Sequence, residues 1–402
     1  MLKSRVKTNR IQMYLALLMV ASMFLSPAAT QAETTLDSPI AAPEVSAEAI
    51  YVMDATSGIP LYSKNPDERR PIGSVVKIMT ALVTLKWVEN PDQEQVKIIE
   101  SDLVDTTVWS NMNLTEGDTL TVTQLLYGLM LPSGGDAANA LCRHVGGIIS
   151  GVTEHPSIAC ESFVGEMNSL AAEIGLDNSR FTNPDGADAD NSYSSAQDVY
   201  LMTEAMMADD FLMGIIQNNA YRFNSVGPEN REYAKDSTLA PYLTNGIIGG
   251  KTGSEELAGG NVSAIREVNG GTNKIVIVVM GATLVSDDPN TEANEGIDTR
   301  WDDVNTLIAA MDSQFTWTNP AENGVIPGLT EQMMVWDVTL KDPPFIPVPH
   351  SGEVNIAFQM QVGPVVETGE PAGTLHLYFG QVPVGDLPLF QSEISYQQRH
   401  AA

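Results

Sequence analysis

Apolar positions along the chain change rhythm several times. The run Ala49-Ile50-Tyr51-Val52-Met53-Asp54 predicts a strand, Ala55-Thr56-Ser57-Gly58 a turn, and Ile59-Pro60-Leu61-Tyr62-Ser63 a return strand, together a hairpin. From 74 to about 87 the rhythm becomes helical, with Ile78, Met79, Ala81, Leu82 and Leu85 on the buried side. A second helical stripe, Leu125, Leu126, Leu129 and Met130, breaks at Leu131-Pro132-Ser133-Gly134-Gly135, and a new helix starts near Asp136. Helices at about 161–174 and 196–207 flank the loop Asn183-Pro184-Asp185-Gly186. The near-continuous apolar run 274–280 suits a central strand covered on both faces, and 300 to about 315 reads as a closing helix. Strands at both ends with helices between them predict an α+β fold: one antiparallel sheet against a helical cluster.

Past a Pro- and Asn-containing boundary at 319–327 the helical rhythm stops. Met334, Trp336, Val338 and Leu340 recur at every second position. So do Val354, Ile356, Phe358, Met360 and Val362, and then Leu375, Leu377 and Phe379. Period-two alternation marks strands with one buried face, so 319–402 is expected to be a small all-β, sandwich-like domain. The chain of 402 residues is long enough for two or three domains. The expected division is a signal peptide at 1–32, a Pro-, Ala- and Thr-containing linker at 33–48, a main domain at 49–318 and the β-domain at 319–402.

The first 32 residues have a basic start (Lys3 to Arg10), an apolar stretch at 13–25 and small residues up to Ala32, where cleavage is expected. That stretch is short for a membrane span, and no later one reaches about 18 apolar residues, so no transmembrane span is expected after signal removal. Formal charge is −30; removing the four cations of 1–32, which hold no acid, leaves −30 − 4 = −34. So acidic a surface does not attract nucleic acid or an anionic membrane by charge. The chain's two cysteines, Cys142 and Cys160, could pair in an exported protein or stay as buried thiols. The five histidines form no cluster, and neither a metal nor a cofactor is expected.

The chemistry concentrates in three short stretches. In Ser74-Val75-Val76-Lys77 the serine and lysine lie three apart at a helix start, where they share a face. A serine is a weak nucleophile until a neighbour takes its proton, and a lysine can do so only when burial or nearby positive charge lowers its pKa. Ser133-Gly134-Gly135 sits in a turn between two helices, and Lys251-Thr252-Gly253-Ser254 follows a glycine-rich stretch. Each stretch alone reads as an ordinary helix start or turn; together and in this order they do not.

The ordered set resembles the penicillin-recognising serine acyl-transferases, marked by S-x-x-K, S-x-N and K-T-G. Glu68-Arg69-Arg70-Pro71, Met79-Thr80-Ala81-Leu82-Val83, Met130-Leu131-Pro132-Ser133-Gly134, Phe181-Thr182-Asn183-Pro184-Asp185-Gly186 and Gly249-Gly250-Lys251-Thr252-Gly253 are similar to the low-molecular-mass penicillin-binding proteins that act as serine-type D-alanyl-D-alanine carboxypeptidases. The resemblance spans about 43–315, and more weakly the β-region. It implies a penicillin-binding, β-lactamase-like domain. In it Ser74 is the nucleophile, Lys77 the general base, and Ser133 the relay to the leaving amine. Lys251, Thr252 and Gly253 hold the substrate, and the backbone amides of Ser74 and Ser254 form the oxyanion hole. It also implies peptidoglycan stem pentapeptides as substrate, β-lactams as inhibitors and an exported, periplasmic or envelope location, with a peripheral membrane or envelope contact left open.

Two positions depart from the family pattern. Gly135 stands where an asparagine is usual, a loss worth about 1–3 kcal/mol unless Asp136, Asn139 or water substitutes. Val76 stands where threonine is usual, a change expected to be tolerated. Gly135 motivates an alternative, a catalytically weakened binding or scaffold protein of the envelope. Behind it stands a β-lactamase, against which the β-domain and the lack of a recognisable deacylating glutamate argue.

Overall fold

The structure is a computed structural model of the 402-residue chain; it describes residues 43–187, 191–285, 297–350, 356–363, 370–379 and 382–392. The expected signal peptide, residues 33–42 of the linker, Val354 and Asp188 lie outside the described residues.

Strands β1 (Ala49–Asp54) and β2 (Ile59–Lys64) form the expected hairpin, and β3 (Ile247–Glu255), β4 (Gly259–Val268) and β5 (Asn273–Ala282) complete one antiparallel sheet in the order β2-β1-β5-β4-β3. β5 is central, as its unbroken apolar run predicts. Val276, Val278 and Met280 face one core, and Ile275, Ile277 and Val279 face another. Both faces are covered, so the strand has no polar side.

The helical cluster on the inner face is centred on α1 (Lys77–Trp87), a helix buried almost all round. Around it lie α2 (Val122–Met130), α3 (Gly135–Ser150), α4 (Pro156–Glu173) and α5 (Ala196–Met207). α2 opens with a Thr121–Gln124 capping box and α5 with the Ser195 hydroxyl on Asp198 N, which satisfies amides that have no helical partner. α4 starts five residues before the expected position, with Pro156 at its first turn. A disulfide joins Cys142 on α3 to Cys160 on α4.

The outer face is covered by α6 (Arg300–Gln314) and by the C-terminal strands. β6 (Phe315–Thr318) pairs with β8 (Ile346–Pro349). β7 (Val338–Thr339), β11 (Val382–Gln391), β10 (Gly373–Phe379) and β9 (Ile356–Val362) form a four-stranded sheet in that order. Leu375, Leu377 and Leu389 of that sheet join Ile50, Val52, Ile277 and Leu307 in a single core cluster. Asp54, buried at the end of β1, accepts from Asn273 Nδ2 (2.9 Å), Trp317 Nε1 (2.6 Å) and the amides of Thr56 and Ser57. Burial pushes its carboxyl up, and these donors oppose the rise. Residues just before β1 are likewise fixed: Asp303 of α6 accepts from Ser46 N, Ser46 Oγ and Ala47 N at 2.8–2.9 Å.

The alternation at Met334, Trp336, Val338 and Leu340 misleads for its first half. Residues Leu329–Trp336 form a helix, α7, with Leu329 and Met333 buried one turn apart and Met334, Val335 and Trp336 exposed. Pro327-Gly328 starts it, a punctuation the period-two reading passes over.

Candidate active site

Ser74 lies in a 3-10 turn, Gly73–Val76, that runs directly into α1. The turn places Lys77 Nζ 2.8 Å from Ser74 Oγ, and the same ammonium donates to the main-chain oxygen of Asp185 at 2.6 Å. Lys77 is 2% exposed, and burial brings its pKa from 10.5 down to about 8; Asp185, Glu255 and Asp136 resist that fall.

The loop carrying Asp185 is clamped to the Ser74 turn and the start of α1. Thr80 Oγ1 donates to Pro184 O at 2.6 Å, and Asn183 closes the turn through Gly186 N and Ala187 O. Gly186 has φ +88°, and a Cβ there would stand 2.1 Å from Gly73 O. Only glycine allows this approach.

Ser133, 4% exposed, sits between α2 and α3 with φ +64°. Its hydroxyl accepts from Lys251 Nζ at 2.8 Å. Lys251 is fully buried and also donates to Thr252 O at 2.9 Å. Burial, then the nearby Lys77 and Arg300 cations, hold its pKa well below the ordinary lysine value. Lys77 and Arg300 thus suppress the charge of Lys251, which is the more strongly depressed of the two lysines. Sequence reasoning suggests the reverse, with a cationic Lys251 keeping Lys77 neutral.

β3 is an edge strand, and its open side faces the serine turn. A Cβ at Gly253 would stand 2.2 Å from Ile72 O, so this glycine is needed for the approach. Between strand and turn lies a cleft of about 300 Å³ lined by Ser74, Lys77, Ser133, Thr252 and Ser254 among others. Lys251 itself lies behind that lining.

Arg300, which sequence reasoning misses, enters from the start of α6. It donates to Ser254 Oγ (2.6 Å), Gly253 O (2.9 Å) and Asn261 O (3.1 Å), while Asp298 holds its Nε at 2.8 Å. Tyr242 and Trp301, stacked at 4.1 Å, close one end of the cleft. No spacing rule connects these residues to the serine.

Neither proposed substitute for the usual asparagine reaches the cleft. The Asp136 carboxylate is taken by the amides of Met112, Leu114 and Ala137 at 2.9–3.2 Å, and Asn139 is directed to Asp102 O. Val76 is buried in the main core. His144 pairs with Glu94 at 2.8 Å and plays no part here. Among the described residues no group of three or more His, Cys, Asp or Glu is placed to hold a metal ion.

The D-alanyl-D-alanine carboxypeptidase family model of peptidase type S11 matches residues 36–284. The chain is 36% identical over 220 residues to a D-alanyl-D-alanine carboxypeptidase of Streptomyces sp. (strain K15), covering 53% of this chain and 73% of that one. It is 31% identical over 274 residues to DacC of Escherichia coli (strain K12), covering 65% of this chain but only 62% of DacC. The crystal structure of the Streptomyces K15 DD-transpeptidase is similar in fold, with a TM-score of 0.58 at 30% identity over 67% of this chain and 98% of that one. The match over 36–284 takes in the Ser74–Lys77 turn, Ser133 and the Lys251 strand alike, and the chain belongs to the D-alanyl-D-alanine carboxypeptidase family.

Proposed function

We propose that the protein is a serine-type D-alanyl-D-alanine carboxypeptidase that removes the terminal D-alanine from peptidoglycan stem pentapeptides. One observation carries the chemistry: a buried lysine, its pKa brought down to about 8, lies 2.8 Å from a serine hydroxyl that opens on a cleft. At neutral pH roughly a tenth of such a lysine is free base, several hundredfold more than for an unperturbed one.

In this reading Ser74 Oγ attacks the carbonyl of the penultimate D-alanine and its proton passes to Lys77. The amides of Ser74 and Ser254 hold the oxyanion. Lys77 and Ser133 return a proton to the departing amine, and water then frees the acyl group from Ser74. Thr252, Ser254 and Arg300 offer the polar face that the terminal carboxylate meets, with Lys251 behind it. An arriving carboxylate favours the proton on Lys251, and a cationic Lys251 in turn favours a neutral Lys77. Binding and activation of the nucleophile are then one electrostatic event. The residues present call for no metal or cofactor.

β-Lactams, which present a strained amide in place of the substrate's, acylate Ser74. The N-terminal 32 residues support export, to the periplasm or outer envelope of a bacterium, and residues 49–318 and 319–402 serve as the peptidase and accessory β-domains. The test is intact mass after incubation with penicillin beside Ser74→Ala, together with D-alanine release from a pentapeptide. A wild-type adduct absent from the variant, with D-alanine released, supports the reading. An adduct with no D-alanine release favours the weakened binding protein, and consumption of penicillin without an adduct favours a β-lactamase.

A further inference from the structure

Most glycines around the cleft are required by packing. A Cβ would stand 2.1 Å from a backbone oxygen at Gly186, 2.2 Å at Gly253 and 2.8 Å at Gly134. Gly135 is different. It opens α3 in helical conformation, and a Cβ there would meet Ser110 O at 3.5 Å, Val104 Cγ1 at 3.5 Å and Asp185 Oδ2 at 3.7 Å, all ordinary contact distances. The backbone therefore tolerates a side chain at 135, and its absence leaves a slot in the cleft floor.

The walls of that slot have a definite chemistry. Ser110 O accepts from Gly135 N at 2.8 Å and keeps a second lone pair. The Asp185 carboxylate uses Oδ1 for Ala187 N at 3.2 Å, and Oδ2 faces the slot. Val104 is apolar, and Val108, 69% exposed, and Trp109 line the adjoining cleft. Two oxygen acceptors, one of them a carboxylate, lie at the end of an apolar approach. Lys77 does not neutralise this end by direct contact, since its ammonium bonds to Ser74 Oγ and to the main-chain oxygen of Asp185.

We propose that the slot at Gly135, with the Asp185 carboxylate as its wall, is a specificity subsite for an alkylammonium side chain on the acyl part of the substrate. This rests on the carboxypeptidase reading above and narrows it. The substrate class is a peptide whose diamino-acid residue, just before the two D-alanines, keeps its side-chain amine free. The methylenes lie along Val104 and Val108, and the ammonium donates to Asp185 Oδ2 and Ser110 O. Asparagine at 135 would occupy this space, so the glycine exchanges a fixed amide for an opening that the substrate fills.

The experiment compares Nα-acetyl-L-lysyl-D-alanyl-D-alanine with its Nε-acetylated form by D-alanine release. It also compares a penicillin bearing an ω-aminoacyl side chain with its N-acetylated form by the rate of Ser74 acylation, read as intact mass. Wild type, Asp185→Asn and Gly135→Asn are measured side by side. The wild type should favour the free amine about tenfold in kcat/KM and in acylation rate, the size of one charge-assisted hydrogen bond. Either substitution should bring the ratio near one. A wild-type ratio near one, or a ratio unmoved by Asp185→Asn, overturns the proposal. If neither peptide releases D-alanine the carboxypeptidase reading fails, and the acylation ratio alone decides the subsite.

Discussion

Lys251 Nζ donates to Ser133 Oγ at 2.8 Å, and the accepting serine is held in a left-handed conformation, φ +64°. A non-glycine residue there is strained and persists only when its surroundings demand it. Ser133→Ala and Ser133→Gly should therefore separate chemistry from strain. Both should slow Ser74 acylation by penicillin, by about 10²-fold. The glycine variant should be the more stable of the two by ~1 kcal/mol in urea denaturation. Equal stability would show that the conformation costs nothing.

With Lys77 as the proposed general base, this lysine is expected to set the pH dependence. Its folded pKa is depressed by burial to about 8, and only the neutral amine accepts the Ser74 proton. Acylation should rise with pH through a midpoint near 8 and level off above it. Asp185 is the largest influence holding that pKa up, so Asp185→Asn should move the midpoint to lower pH. Lys77→Arg, which stays charged, should lose on the order of 10³-fold at every pH. Stopped-flow acylation across a pH range of roughly 5–10 checks all three.

Arg300 ties the start of α6 to Gly253 O, Asn261 O and Ser254 Oγ. Arg300→Lys keeps a charge but loses the fork that makes these contacts at once. D-alanine release should fall ~10- to 100-fold, mostly through KM for the carboxylate-bearing peptide, with a smaller effect on kcat. An unchanged KM would remove Arg300 from substrate recognition.

The Cys142–Cys160 bond closes a loop of 18 residues between α3 and α4, and Cys142 lies about two helical turns along α3 from Gly135. Neither cysteine lines the cleft. The double Cys→Ala variant should lose about 3 kcal/mol of stability by loop-closure entropy, while the rate of Ser74 acylation stays within about twofold. Denaturation under non-reducing conditions, beside acylation, measures both.

Much of this is legible in the sequence, for identifiable reasons. Ser74 and Lys77 are close in sequence and meet through one turn, so spacing alone brings them together. The core strand β5 and the helix α5 follow from apolar rhythm. Ser133 and Lys251 are 118 residues apart and are joined by family likeness, since no local rule pairs them. Arg300, Tyr242 and Trp301 carry no motif and come to the cleft through the packing of α6 on the sheet. Asp185 reads as a loop acid, because the role of its main-chain oxygen leaves no mark in a sequence. Residues 329–336 mislead because Met333 to Trp336 are all apolar, and an unbroken apolar run contains a period of two as readily as a helical one.

The shared core behind the sheet has a practical consequence. The likeness to the Streptomyces K15 structure covers 98% of that protein and 67% of this one. That difference in length invites cutting this chain back to the peptidase half. Here Ile50, Val52 and Ile277 belong to the same cluster as Leu375, Leu377 and Leu389, and Trp317 supplies a donor to Asp54. Cutting after 318 would leave α6 and Trp317 in place but remove β7 to β11, and so bare part of the Ile50, Val52 and Ile277 face as a sticky plane. Trp317→Phe is the gentler probe: it should cost about 1–2 kcal/mol in urea denaturation and leave acylation intact. The tail strands are thus part of the wall that keeps the catalytic sheet upright, and shortening this enzyme for crystallisation or screening should begin elsewhere.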